Sequence, residues 1–131
     1  MAFQLVDPVT ANLVGVLDLR TRQHGLIVAN LANADTPHYR ARRLDFREAL
    51  TQHLVRGGAV ARTHGAHLHS QGPDDRAVRL VEAPPWAMDG NSVDPQRELA
   101  VLTENQLLYS ASVEILNRRM GMLRYAINEG R

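Results

Sequence analysis

From residue 95 to residue 128 the apolar positions keep a strict rhythm. Leu99, Leu102, Gln106, Tyr109, Val113, Leu116, Met120, Leu123 and Ile127 are spaced alternately three and four apart. That is a heptad seam with one polar member, Gln106, and it predicts a single helix about 50 Å long at 1.5 Å per residue. A second line, Val101, Leu108, Ile115 and Met122, recurs every seven residues. At 100° per residue it lies about 200° round from the first. A helix in a two-helix hairpin needs one apolar face. This one has two, and the second would be an adhesive stripe if left in water. The pattern predicts a helix packed against more than one neighbour.

Residues 7–35 repeat the theme with interruptions. Leu13, Leu17, Ile27, Leu31 and Ala34 fit a seam, Arg20 and His24 break it, and Leu19 and Leu26 lie on the reverse side. Both long segments open with Val-Asp-Pro, at Val6-Asp7-Pro8 and Val93-Asp94-Pro95. An aspartate can cap the orphan amides of a first turn, and a proline at the next position has no amide to waste. Pro37 disfavours the α region for Thr36, so the first helix must stop by about residue 35.

Between the two, Leu44–Val55 has the spacing of a short helix, Arg76–Ala83 has strand character, and Asp89-Gly90 is the expected reversal in a turn-rich cluster. The expected fold is mainly α. Two long terminal helices pair as an antiparallel, coiled-coil-like hairpin, with a short helix and a loop or β-hairpin-like middle. Residues 1–56 and 93–131 form one helical domain, and residues 57–92 a loop-rich segment without a core of its own.

Composition narrows the function. The chain has 131 residues and a formal net charge of +1, so no global field draws it to nucleic acid or an anionic membrane. All 15 basic residues are arginines, which offer planar forks in place of point charges. With no cysteine, disulfides and Cys-ligated metals are excluded. The opening MAFQLVDPVTANL does not read as a secretory signal, and no run approaches the ~20 apolar residues of a membrane span. Direct membrane insertion is not expected.

The chemistry-bearing candidates are few. His64, His67 and His69 could supply two ligands to zinc or copper from one extended loop, but no carboxylate accompanies them except Asp74 and Asp75; a polar surface loop is the simpler reading. Arg40, Arg42, Arg43 and Arg47, with Tyr39 and Phe46 between them, could bind phosphates and stack on bases. Asp45 and Glu48 dilute that cluster, so arginines reaching the carboxylates of neighbours is the leading reading. A small Arg-rich helical nucleic-acid-binding protein is the alternative. No nucleophile elbow, phosphate loop or paired-carboxylate arrangement occurs, so no enzyme activity and no cofactor is expected. Asn30 and Asn33 have two roles open to them: closing the first helix, or pinning register as a buried asparagine does in coiled coils.

The stretch Ala29–Phe46, ANLANADTPHYRARRLDF, resembles the N-terminal signature of the flagellar rod, hook and filament-axis family, with Asn30, Ala32, Asn33, Thr36, Pro37 and Tyr39 as the matching residues. Asp89–Ile127 is similar to the proximal-rod branch of that family, through Asn105-Gln106, Tyr109, Leu116-Asn117 and the closing Leu123–Ile127. The resemblance implies a non-catalytic structural subunit of the basal-body rod, exported through the flagellar type III channel without a cleaved signal and assembled in the periplasm. It implies as partners other copies, rod proteins of the FlgC, FlgF and FlgG types, the adaptor FliE, and the inner-membrane ring and export gate. His38 departs from the pattern, since the family usually has glycine there.

Overall fold

The computed structural model describes residues 7–55, 77–84 and 87–129. Along the chain these form α1 (Pro8–Ala32), β1 (Arg42–Leu44), α2 (Phe46–Val55), β2 (Val78–Leu80) and α3 (Pro95–Glu129). The fold is mainly helical, and the two long helices pack on each other.

Three side-chain contacts fix their direction and register. Asn30 reaches Glu98, Asn105 Nδ2 donates to the Arg20 carbonyl at 3.0 Å, and Arg119 pairs with Asp7. The α1 partner falls as the α3 partner rises, so the pair is antiparallel. Residues beyond Arg119 run past Asp7, the first described residue of the α1 end.

The two Val-Asp-Pro starts differ. Asp94 Oδ1 accepts from the amides of Gln96 and Arg97 at 3.1 and 3.3 Å, which is the expected N-cap. Asp7 makes no side-chain cap bond; its carboxylate turns to Arg119 instead. That guanidinium's hydrogen bond holds the Asp7 carboxyl below its ordinary range. A charged partner on the facing helix outcompetes a local amide for the same oxygens.

The small sheet joins distant parts of the chain. β1 and β2 pair antiparallel, Arg42 with Leu80, Arg43 with Arg79 and Leu44 with Val78, with α2 lying between them in sequence. The two arginines that face each other are each drawn to a carboxylate: Arg43 to Glu98, and Arg79 to Asp45 and Glu48. Leu19, Leu44, Ala49 and Ala77 form the buried cluster, with Leu26, Phe46, Leu50 and Val78 against it. The Arg20 guanidinium lies 3.9 Å above the Phe46 ring, a cation–π contact of ~0.5–2 kcal/mol. This explains why Arg20 interrupts the α1 seam: its stem and head cover α2. The chain returns closely enough that the His53 ring occupies the space a Cβ on Gly15 would need.

The α3 face turned to α1 is not centred on the heptad seam. Its deepest residues are Glu98 and Asn105, 1% and 2% exposed, followed by half-buried Ser112, Leu116 and Arg119. At 100° per residue, Leu102 lies about 40° to one side of Glu98 and Val101 about 60° to the other. One member of each expected line therefore flanks the contact. Leu102, Val113 and Leu116 of the seam are half-buried, whereas Leu99, Gln106, Tyr109, Met120, Leu123 and Ile127 are exposed. Leu123 and Ile127 do lie near the α1-facing azimuth, but beyond Asp7, where no described residue covers them. From the second line, Val101 is half-buried against α1; Leu108, Ile115 and Met122 are exposed by 36, 55 and 63%. That progression has a geometric cause: a strict seven-residue repeat drifts by about 20° per heptad on a straight helix.

Candidate functional site

Asn30, Glu98 and Asn91 organise the end of the molecule where α1 stops and α3 begins. Asn30 is the residue at which α1 stays polar yet has no exposed surface. Its Nδ2 donates to the Arg42 carbonyl at 2.9 Å and to Glu98 Oε2 at 3.1 Å. Its Oδ1 accepts from the Arg42 amide at 2.9 Å and, more weakly, from the Tyr39 hydroxyl at 3.5 Å. One side chain thus ties α1 to β1 and α3, with its amide fully used. Glu98 is 1% exposed and receives Arg43 on its other oxygen at 3.2 Å. A buried carboxylate needs such partners, because an unpaired one is far costlier than any packing it could provide.

Asn33 closes the helix. Its Nδ2 donates to the Ala29 carbonyl at 2.8 Å, and its Oδ1 accepts from Thr36 Oγ1 at 3.2 Å. The two asparagines therefore divide the two roles open to them: Asn30 pins, Asn33 caps. Asn33 keeps a negative φ of −109°, so it caps without entering the left-handed region.

The left-handed residue comes later, at His38, with φ 60°. Tyr39 N–H returns to the Thr36 carbonyl at 3.3 Å, closing a turn with Pro37 second and His38 third. A proline followed by a positive φ is the pattern of a type II turn, whose third position favours glycine. The His38 amide donates to the Asp89 carbonyl at 2.9 Å, and its ring lies against Gly90. Gly90 itself has φ 69°, and a Cβ there would come within 2.7 Å of His38 Nδ1. Replacing His38 with glycine should stabilise the isolated protein by roughly 0.5–1 kcal/mol. It relieves a left-handed cost of about 1–2 kcal/mol and adds back part of it as unfolded-chain entropy. A thermal melt reads the sign, and a lower midpoint would mean that the ring packing on Gly90 outweighs the strain.

Asn91 bridges this turn to α1. Its Nδ2 faces the carbonyls of Asn33, Ala34 and Thr36 at 3.0, 2.7 and 3.0 Å, supplying the donor that a helix C-terminus lacks. Its Oδ1 accepts from the Val93 amide at 2.7 Å. Ser92 Oγ accepts from the Ala41 amide at 2.7 Å, and the Ser92 amide donates to the Tyr39 carbonyl at 3.0 Å. Residues 36–44 and 89–98 are thereby stitched together.

The motif residues occupy different depths here. Asn30 is buried, Asn33 and Tyr39 are half-buried, and Ala32, Thr36 and Pro37 are exposed. Glu98, Asn91 and Ser92 complete the node and were not singled out from the sequence. His64, His67 and His69 lie outside the described residues. Among the helices of the described residues, none is long and apolar enough to cross a membrane.

The node contains hydrogen bonds, one ion pair and tight turns, and the surface beyond it is a long helix with uncovered apolar residues. Comparison with known proteins agrees with a structural reading. The chain is 38% identical over 112 residues to the flagellar basal body rod protein FlgB of Cereibacter sphaeroides, covering 85% of this chain and 87% of that one. It is 37% identical over 116 residues to FlgB of Salmonella typhimurium, covering 82% and 84%. With FlgB of Escherichia coli the identity is 33% over 118 residues, at the same coverage. The chain belongs to the FlgB family of flagellar basal-body rod proteins. No family model matches it. Membership in the FlgB family gives the node a context: a short polar lock at one end of a helix pair whose longer member, α3, carries exposed apolar residues.

Proposed function

We propose that this chain is a structural subunit of the proximal rod of the flagellar basal body. It assembles through its terminal helices with further copies and with related rod subunits, helping to carry torque and to wall the export channel. Passage through the flagellar type III system, without a cleaved signal, belongs to the same reading. So do the FliE adaptor, the membrane ring and the export gate as neighbours.

The observation that carries the reading is α3. Leu107, Ile115, Met122, Tyr125 and Ile127 are each more than half exposed along one helix. An apolar surface of this extent on a helix is an association surface or a liability. Burying a single such side chain contributes ~1.5–3 kcal/mol at full coverage, so assembly supplies what the lone chain lacks.

The test is a strain lacking the coding sequence. It should form no rods and not swim, and the wild-type sequence supplied in trans should restore both. Rods of normal number in the deletion strain would end the proposal.

A further inference from the structure

The arginine run after α1 is only partly used inside the molecule. Arg43 binds Glu98. Arg42 uses its backbone amide and carbonyl on Asn30, and its side chain has no hydrogen-bond or ion-pair partner among the described residues. Arg97 is likewise exposed, and among the described residues only its backbone amide is engaged, by Asp94.

These three arginines line one cavity of about 100 Å³, together with Gln23, Leu26, Glu98 and Val101. Glu98 is the single carboxylate there, and both of its oxygens are already taken by Asn30 and Arg43. The Arg42 and Arg97 side chains have no ion-pair partner among the described residues, and Arg97 also borders the neighbouring cavity that carries Glu82, Asp89 and Asp94. Arg97 is also badly placed for its own helix. It sits in the first turn of α3, where the helix dipole disfavours a cation. A residue that costs its helix stability and has no side-chain partner among the described residues is explained by a partner outside the chain.

We infer that Arg42 and Arg97 clamp a carboxylate presented by a neighbouring rod subunit, with the Glu98–Arg43 pair as the fixed floor of the site. The inference rests on the rod reading above. Guanidinium forks match carboxylates with two parallel hydrogen bonds, which gives geometry as well as attraction. A cavity of about 100 Å³ has room for a carboxylate head. The positive N-terminal end of α3 adds to the attraction.

The double variant R42Q/R97Q removes both charges and keeps most of the side-chain length. It should fold with unchanged helix content and an unchanged melting midpoint. In the deletion strain it should give at least about tenfold fewer rods than the wild type and a correspondingly smaller swimming halo. R42K/R97K, which keeps charge without the fork, should fall between. An Asp or Glu to Arg change in another rod protein that restores swimming to an R42E/R97E strain would identify the partner carboxylate.

Normal rods and swimming from R42Q/R97Q would overturn the inference. So would a lowered melting midpoint in the purified variant, which would make the arginines internal supports. Wild-type binding to a single-stranded oligonucleotide at low salt, lost in R42Q/R97Q while rods stay normal, would overturn it in favour of a polyanion. Failure of the wild-type sequence to restore rods would instead refute the rod reading itself, so the two failures are distinguishable.

Discussion

Replacing Asn30 with leucine should destabilise the protein by about 3–4 kcal/mol, although both side chains carry four heavy atoms branched at Cγ. The change strands the Arg42 amide, the Arg42 carbonyl and one oxygen of Glu98, all of which Asn30 now serves. A buried polar group left without a partner costs ~1–3 kcal/mol, and more when charged. Relaxation and the apolar gain of leucine offset part of that sum. For a chain of this size the melting midpoint should fall by roughly 10–15 °C. Asn30→Asp sharpens the experiment. It keeps the shape, loses both donors and sets a carboxylate against Glu98. Two carboxylates at hydrogen-bond distance cannot both stay ionised, so this variant should be the worse of the two at pH 7. It should recover partly as pH falls and the pair takes up a shared proton. The direction follows from linkage: a group whose folded-state pKa is raised binds protons more tightly when folded, so its penalty shrinks on acidification. A leucine variant melting within about 3 °C of wild type would show that the node does not hold the helices together.

Much of this architecture was legible from residue patterns, and the exceptions share a cause. The α3 helix, its Asp94 cap, the short α2 helix and the Asp89-Gly90 reversal all rest on local chemistry. That chemistry acts within a few residues and can be read along the chain. Asp7 carries the same Val-Asp-Pro signal as Asp94, yet its carboxylate goes to Arg119, from the opposite end of the sequence. Nothing local announces that competitor. The rotation of α3 was missed for a related reason. A heptad seam records which residues are apolar; the contact is set by where Glu98 and Asn105 find partners on α1 and β1. Nothing along the chain marks those polar residues as interior, because a carboxylate one residue from a leucine seam normally faces solvent. Glu98 became interior only because Asn30 and Arg43 converge on it. Asn30 was legible as a register pin because it is a polar residue in a packing helix, but its partners were not.

Ile115→Asp combined with Met122→Asp should abolish rod assembly while leaving the isolated protein as stable as before. The two side chains are 55% and 63% exposed and stand on the α3 flank that drifts away from α1. Surface substitutions away from caps and buried networks usually change stability by less than ~0.5 kcal/mol, so the melting midpoint should barely move. In an assembled rod the same positions would be covered. Each buried carboxylate would then lose the apolar transfer term, about 1–2 kcal/mol for the area still exposed, and add several kcal/mol of desolvation. Subunits added one upon another meet that cost at every contact, so swimming should be lost entirely and not merely reduced. Leu108→Asp is the internal control for geometry. At 36% exposure it is closer to α1 and should affect both stability and assembly. If the Ile115/Met122 double variant builds normal rods and swims, α3 packs through one face only. Its exposed flank would then need another explanation. Loss of solubility in the purified double variant would be equally damaging, since two added charges on a free surface should raise solubility.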